Sequence, residues 1–427
     1  MLGPGLMLLL ILIALLGLGV WVGIALMAAG ALSLALLREM NVIAFLAGDV
    51  WRSLNAPELA ALPLFILMGE ILNRTRLSQG LFAGLAPWLA SIPGQLLHVN
   101  VAGCTLFAAV TGSSAATTAT VGRITLAELA RRGFDRDLAI GSLCGAGTLG
   151  FLIPPSIVLI LYGVLAEVSI IDLFIAGITP GLLLAAGFMA FIAIRARLKP
   201  GLAPKPESTP SWRARLATLR QLGPVAALIL LVIGSMALGY AGPSEAATVG
   251  VAGALILAAA QRALTIAGLV DALMGAVRTT SMLGLILAGA FFLAKAVALF
   301  GVPARAASFI AGLGLTPLAL VILLMALYAL LGMVMDGLSL ILMTLPVTLP
   351  IALGAGFSPI WFGIFLVIVV EMSQITPPVG FNLFIVQELT GEPLGRIARA
   401  SLPFFLLMAG LVVLIALLPD LVLWPLR

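Results

Sequence analysis

Charge is scarce in this chain. Asp, Glu, Lys and Arg together make up 9% of its 427 residues while 62% are hydrophobic, a balance that excludes a soluble globular enzyme. Histidine is scarcer still: His98 stands alone, which rules out an H-E-x-x-H pair and any histidine-rich metal cluster. The two cysteines, Cys104 and Cys144, lie in apolar segments and read as small buried residues, without a disulfide or a metal. No G-x-x-x-x-G-K-[ST] stretch occurs, so the chain has no P-loop for ATP; uphill work must draw on an ion gradient or on another subunit. No cofactor is implied. The net charge of +5 belongs to loops flanking apolar segments and points to no nucleic acid.

What the sequence has in abundance is apolar runs of about twenty residues along its whole length, the mark of an all-α polytopic membrane protein. The N-terminal run lacks a basic n-region and an Ala-x-Ala site, so residues 5–37 read as one retained helix and not as a cleaved signal. Residues 38–57 alternate Arg38, Glu39, Asp49 and Arg52 with apolar positions, as an amphipathic arm at the membrane surface would. Residues 195–223 carry seven basic residues against Glu207 and four prolines, and read as a solvated linker between two halves. The expected units are a first repeat at 1–194, the basic linker at 195–223, and a second repeat at 224–427 with its own arm at 261–278.

The repeat is visible in a device used twice. Thr111-Gly112-Ser113-Ser114 is followed by Ile153-Pro154-Pro155-Ser156, and Met335-Asp336-Gly337 by Thr376-Pro377-Pro378-Val379-Gly380. Ser113 to Pro154 and Asp336 to Pro377 are both 41 positions, with the two devices 223 residues apart. A proline in a helix leaves the carbonyl four residues earlier without its donor, so Pro154 and Pro155 release Gly150 and Phe151, while Pro377 and Pro378 release Ser373 and Gln374. Bare carbonyls at membrane depth are tolerated only inside protein or along a cavity, and in transporters they often coordinate sodium. The small hydroxylated residues at 111–120 suit a re-entrant hairpin tip, and a second hairpin is expected around Asp336-Gly337.

Charge orients the scheme. Windows 38–57, 121–137, 195–223, 261–278 and 388–400 hold every Lys and Arg except Arg74, Arg76, Lys295, Arg305 and Arg427. With one crossing at 5–37 and an odd number per half, those windows face the cytoplasm, the N-terminus lies outside, and the second repeat is inverted relative to the first.

Leu62-Pro63-Leu64-Phe65-Ile66-Leu67-Met68-Gly69-Glu70, Leu106 to Ser114, Gly147 to Ser156 with Tyr162-Gly163, and Thr376-Pro377-Pro378-Val379-Gly380-Phe381-Asn382-Leu383 together resemble the large membrane subunit (DctM-like) of tripartite ATP-independent periplasmic (TRAP) transporters. The resemblance covers nearly the full length. It implies an inverted-repeat elevator carrier in a bacterial or archaeal cytoplasmic membrane, with two re-entrant hairpins and two broken helices. It also implies a sodium gradient, a small four-helix membrane subunit as a separate chain, a periplasmic substrate-binding protein, and a small organic acid as cargo.

On that footing a first sodium site would use Ser113, Ser114, Gly150, Ile153 and Pro155. A second would use Asp336, Gly337, Ser373, Thr376 and Val379. Ser113, Thr376 and Asn382 are the candidate substrate contacts, with half-helix N-termini favouring a carboxylate. Asp336 either neutralises a cation or caps its helix. Thr117, Thr118 and Thr120 read mainly as back-bonded to their own helix. Glu70, Glu245, Lys295 and Glu371 stand out as charges in or beside apolar spans, Lys295 reading chiefly as a snorkelling side chain. Arg123 is a weaker candidate for holding the anion. A stand-alone sodium-carboxylate symporter would share this architecture. An intramembrane protease lacks a second facing aspartate or a base beside either tip, and a channel would not need paired hairpins.

Overall fold

The computed structural model describes residues 3–37, 41–75, 77–204, 210–333, 335–378 and 380–427, and all regular structure among them is helical. The run at 5–37 is not one helix but two, α1 (Pro4–Gly17) and α2 (Val22–Leu37). Between them Gly19 adopts φ +77°, and the N–H groups of Gly19 and Val20 donate to the carbonyls of Leu16 and Leu15. That is a Schellman closure, which a glycine at this position permits. The single crossing that placed the N-terminus outside therefore loses its footing.

The first arm is α3 (Val42–Leu54), capped by Asn41 and followed by a 60° bend into the short turn Pro57–Ala60 and α4 (Ala61–Asn73). Asp49 and Ser53 face inward and are buried, while Arg52 is exposed together with Ile43 and Trp51. Helix α5 (Leu77–Leu89) leads to α6 (Leu97–Thr111) and α7 (Ser114–Arg131), which pack together as the first hairpin. Then come α8 (Arg136–Gly147), α9 (Leu149–Leu152) and, after extended backbone around Pro154-Pro155, α10 (Ile157–Leu165), bent by 42°.

The basic segment 195–223 is largely helical among its described residues and mostly exposed, so the solvated stretch between the halves is ordered as helix ends and not as irregular chain. Helix α11 (Ile170–Leu198) carries Arg195 and Arg197 in its last turn, and α12 (Trp212–Ala237) starts well before Pro224. Its Arg, Ala and Leu residues favour helix, and Ser211 supplies the cap. Lys205, Pro206 and Glu207 lie outside the described residues.

In the second half α13 (Pro243–Ala260) is followed by α14 (Ile266–Leu299), a 34-residue helix that fuses the expected arm at 261–278 with the span after it. No proline interrupts it, and at 1.5 Å per residue it is about 51 Å long. An unanticipated short helix, α15 (Val302–Gly312), precedes the second hairpin, α16 (Pro317–Leu331) and α17 (Gly337–Gly354). Tyr328 of α16 shares hydrogen bonds with the hydroxyls of Thr344 and Thr348 of α17. The second broken helix is α18 (Pro359–Ser373) and α19 (Phe381–Thr390), and the chain closes with α20 (Leu394–Leu417) and α21 (Asp420–Leu423). Among the described residues six helices are long and apolar enough to cross a membrane, or eight if each bent pair is one span.

Two apolar bodies hold the chain. One surrounds α18, whose residues from Trp361 to Ser373 are all buried, as suits a helix apolar on every side. Helices α9, α10, α11, α16, α17 and α20 pack around it. The other is built on α2 and α14, which cross where Gly289 would place a Cβ 2.5 Å from the Gly23 carbonyl oxygen. Small residues give such close approach in membranes. Cys104 and Cys144 are buried and unpaired.

Three of the basic windows meet at one end. Arg136 pairs with Glu392 at 2.6 Å, Arg396 with Asp137 at 2.6 Å, and the Asp135 N–H donates to the Leu202 carbonyl at 2.9 Å. The α7–α8 turn, the α11–α12 connection and the α19–α20 turn thus share a face.

Candidate functional site

The first tip is made by a stop and a start in adjacent residues. Gly112 ends α6 in the left-handed region at φ +58°, and Ser113, extended, accepts the Ala116 N–H as the cap of α7. The tip backbone lies directly on the first broken helix. A Cβ on Gly112 would fall 2.7 Å from the Pro155 carbonyl oxygen, and one on Gly150 would fall 2.5 Å from the Ser114 nitrogen. Ser113, Ser114, Gly150 and Pro155 are thereby brought together. Ile153 is extended backbone whose side chain packs toward Gly181 of α11. Of the carbonyls released by the prolines, that of Phe151 is taken by the Ser156 hydroxyl.

Thr118 bonds back to the Ser114 carbonyl at 2.9 Å, as its position suggests. Thr117 does not. It meets the Thr111 hydroxyl at 3.1 Å and ties the two arms together.

The second tip meets the second broken helix in the same manner. A Cβ on Gly332 would fall 2.1 Å from Ser373 Oγ, and one on Gly337 would approach Val370, the Phe151 ring and Gln374. Asp336 caps α17 by accepting the Ser339 N–H at 3.1 Å, which is the capping role of the two considered. The Ser373 carbonyl already accepts the Thr376 N–H at 3.1 Å, and the Gln374 carbonyl accepts the Asn382 N–H at 3.1 Å. Thr376 donates its hydroxyl to the Met372 carbonyl at 2.8 Å. Val379 lies outside the described residues.

Of the candidate substrate contacts, Ser113 and Thr376 are partly exposed, whereas Asn382 is fully buried and donates to Ser114 Oγ at 2.8 Å. Asn382 Oδ1 has no hydrogen-bond partner among the described residues. Arg123 is exposed on α7, past the tip.

The family model described as "Tripartite ATP-independent periplasmic transporter, DctM component" matches residues 9–421. The chain belongs to the DctM family. Among its relatives, the C4-dicarboxylate TRAP transporter large permease protein DctM of Pseudomonas aeruginosa is 34% identical over 392 residues, 92% of this chain and 91% of that one. The 2,3-diketo-L-gulonate TRAP transporter large permease protein YiaN of Escherichia coli is 30% identical over 405 residues, 94% of each chain. The sialic acid TRAP transporter large permease protein SiaM of Vibrio cholerae is 28% identical over 391 residues, 91% of each. The fold is also that of the YdaH transporter of Alcanivorax borkumensis, with a TM-score of 0.63 at 17% identity over 93% of this chain and 96% of that one.

The intramembrane charges of this DctM chain sort by partner. Glu70 pairs with Arg74 one turn away, and Glu245 accepts the Gly242 N–H at 2.8 Å as part of a cap. Lys295 does not merely snorkel: it pairs with Asp49 of α3, whose side chain is 1% exposed. Glu371 is the residue missing from the predicted sites. It is buried on α18, accepts the Phe151 N–H at 3.1 Å, and lies 3.0 Å from Ser114 Oγ. Its signal was a carboxylate in the apolar run before Ser373; its partners, 220 and 257 positions away, left none in the local sequence.

Proposed function

We propose that this chain is the transport subunit of a three-part uptake system, carrying a small carboxylate across a bacterial or archaeal cytoplasmic membrane at the expense of a sodium gradient. The observation that carries the reading is the pairing of each hairpin tip with a broken helix: Gly112 on Pro155, and Gly332 on Ser373. Each junction gathers backbone carbonyls, hydroxyls and helix ends, the first largely buried and the second partly exposed, which is the ligand chemistry of a hard monovalent cation.

In this reading the first ion is held by oxygens of Ser113, Ser114, Gly150, Ile153 and Pro155. The second is held around Gly337, Ser373 and Thr376, with Asp336 fixing the α17 start rather than contacting the ion. Substrate sits between the tips beside Ser113 and Thr376, where the starts of α7 and α17 present N–H groups to a carboxylate. Asn382 serves the tip, not the substrate. The body around α18 moves as an elevator against the one on α2 and α14. A separate four-helix subunit and a soluble binding protein complete the system.

The names of three relatives, transporters of C4-dicarboxylates, sialic acid and 2,3-diketo-L-gulonate, support a carboxylate cargo, while a fourth is named for isethionate, a sulfonate. The test is uptake of a panel of labelled carboxylates by proteoliposomes holding this chain and its small subunit, with and without the cognate binding protein. One accumulated acid, strictly dependent on the binding protein, supports the reading. Uptake unaffected by omitting that protein contradicts it.

A further inference from the structure

We infer that Glu371 is a positioning residue that couples the two ion loci by holding the first tip onto both broken helices at once. The inference rests on the sodium reading above. Glu371 stands on α18 two residues before Ser373, so its backbone belongs to the second locus. Its carboxyl belongs to the first: Oε1 accepts the Phe151 N–H at 3.1 Å, and Oε2 lies 3.0 Å from Ser114 Oγ. Ser114 is itself a proposed ligand, and Phe151 follows the ligand Gly150.

The node has further spokes. Ser114 Oγ accepts from Asn382 Nδ2 at 2.8 Å and lies 3.1 Å from the Gly147 carbonyl. Its one hydrogen serves Gly147 or Glu371 at a time. Phe151 is held at its carbonyl by Ser156, and its ring edge meets the second tip at Gly337. Five segments therefore meet at the linked pair Glu371 and Ser114: the end of α8 and the start of α19 through Ser114 at the start of α7, and α9 through Glu371 at the end of α18.

Among the described residues no Lys or Arg forms an ion pair with Glu371, so its anchors are an amide and a hydroxyl. A carboxylate so deep in apolar surroundings is costly to keep. Direction is what these short polar contacts supply. A shift of α18 when an ion enters the second locus moves the hydroxyl and amide that line the first, and the reverse holds equally. Binding coupled in this way is cooperative and reciprocal.

The discriminating pair is Glu371→Ala and Glu371→Gln. Glutamine reproduces both contacts, accepting from Phe151 N–H and donating to Ser114 Oγ, while Ser114 gives its hydrogen to Gly147. In sodium titrations of uptake at saturating substrate, E371A should raise the half-saturating sodium concentration by about tenfold and bring the Hill coefficient toward one. E371Q should stay within about threefold of wild type and keep its cooperativity.

Hydrogen exchange in detergent reads the same contact without transport. E371A should speed exchange at 112–118 and 149–153 while leaving α2 and α14 as in wild type, and E371Q should match wild type throughout. If wild-type uptake ignores sodium, the sodium reading fails while exchange still decides whether the contact exists. Unchanged exchange at both segments in E371A overturns the inference. So does an E371Q protein with wild-type exchange but the sodium response expected of E371A, because charge and not position would then be what matters. If E371A fails to fold, E371Q alone decides by these criteria.

Discussion

Asn382 Nδ2 donates to Ser114 Oγ over 2.8 Å, joining residues 268 positions apart. One lies on the first turn of α19 and the other on the first turn of α7, so the start of the second broken helix's outer limb is fixed to the tip of the first hairpin. With Asn382 fully buried, its amide acts as a strut between repeats.

Close packing at the first tip gives a sharp mutational contrast. Gly150→Ala should place a methyl 2.5 Å from the Ser114 backbone, where backbone and not a flexible side chain must yield. Overpacking of this kind costs about 1–3 kcal/mol. Gly187→Ala, on α11 with nothing within 4 Å, should be neutral. Thermal melting and uptake of the two variants check this; equal behaviour would contradict the packing described here.

The first double proline breaks the chain between α9 and α10, with Ile153 and Ser156 extended on either side of it. Replacing Pro154 and Pro155 together with Ala should let α9 and α10 join, returning donors to the carbonyls of Gly150 and Phe151. The expected outcome is loss of sodium activation of uptake with the protein still folded. Unchanged sodium dependence in that double variant would count strongly against the first ion site.

The hairpins and breaks were legible because their signals are local. Gly112 beside Ser113 encodes a helix stop and a helix start, and Pro154-Pro155 and Pro377-Pro378 forbid the hydrogen bonds of a continuous helix. The turn at Leu18-Gly19 was not legible, because glycine inside an apolar run is common in membrane helices and marks a break only when its φ is known. Nor was the fusion of arm and span in α14, where polar residues change the surface without interrupting the helix. The node on Glu371 was half legible: its oddity as a buried charge could be seen, but contacts to Ser114 and Phe151 arise from tertiary packing.

Asp336 separates capping from charge. Asp336→Asn keeps a side-chain oxygen for the Ser339 N–H and should preserve both stability and sodium dependence. Asp336→Ala should cost about 1 kcal/mol of stability through the lost cap. Sodium titration of D336N is the check: a large loss of sodium affinity there would show that the carboxylate charge faces the ion.

Lys295 and Asp49 clamp the arm α3 to α14. Lys295→Met leaves Asp49 buried without its cation and should destabilise by about 2 kcal/mol, less than a fully buried pair because the lysine is 45% exposed. Asp49→Leu combined with Lys295→Met should recover most of the loss. A double-variant cycle by thermal melting reads the coupling, and purely additive losses would mean the pair does not hold the arm.

The most direct test of the central claim is concentrative uptake under an imposed sodium gradient. Proteoliposomes holding this chain and its small subunit, supplied with loaded binding protein, should accumulate the carboxylate above its external concentration when sodium is high outside. Accumulation should stop when sodium is equal on both sides or replaced by potassium. Accumulation that persists with sodium equalised or absent would contradict sodium coupling and the ion roles given to the two tip junctions.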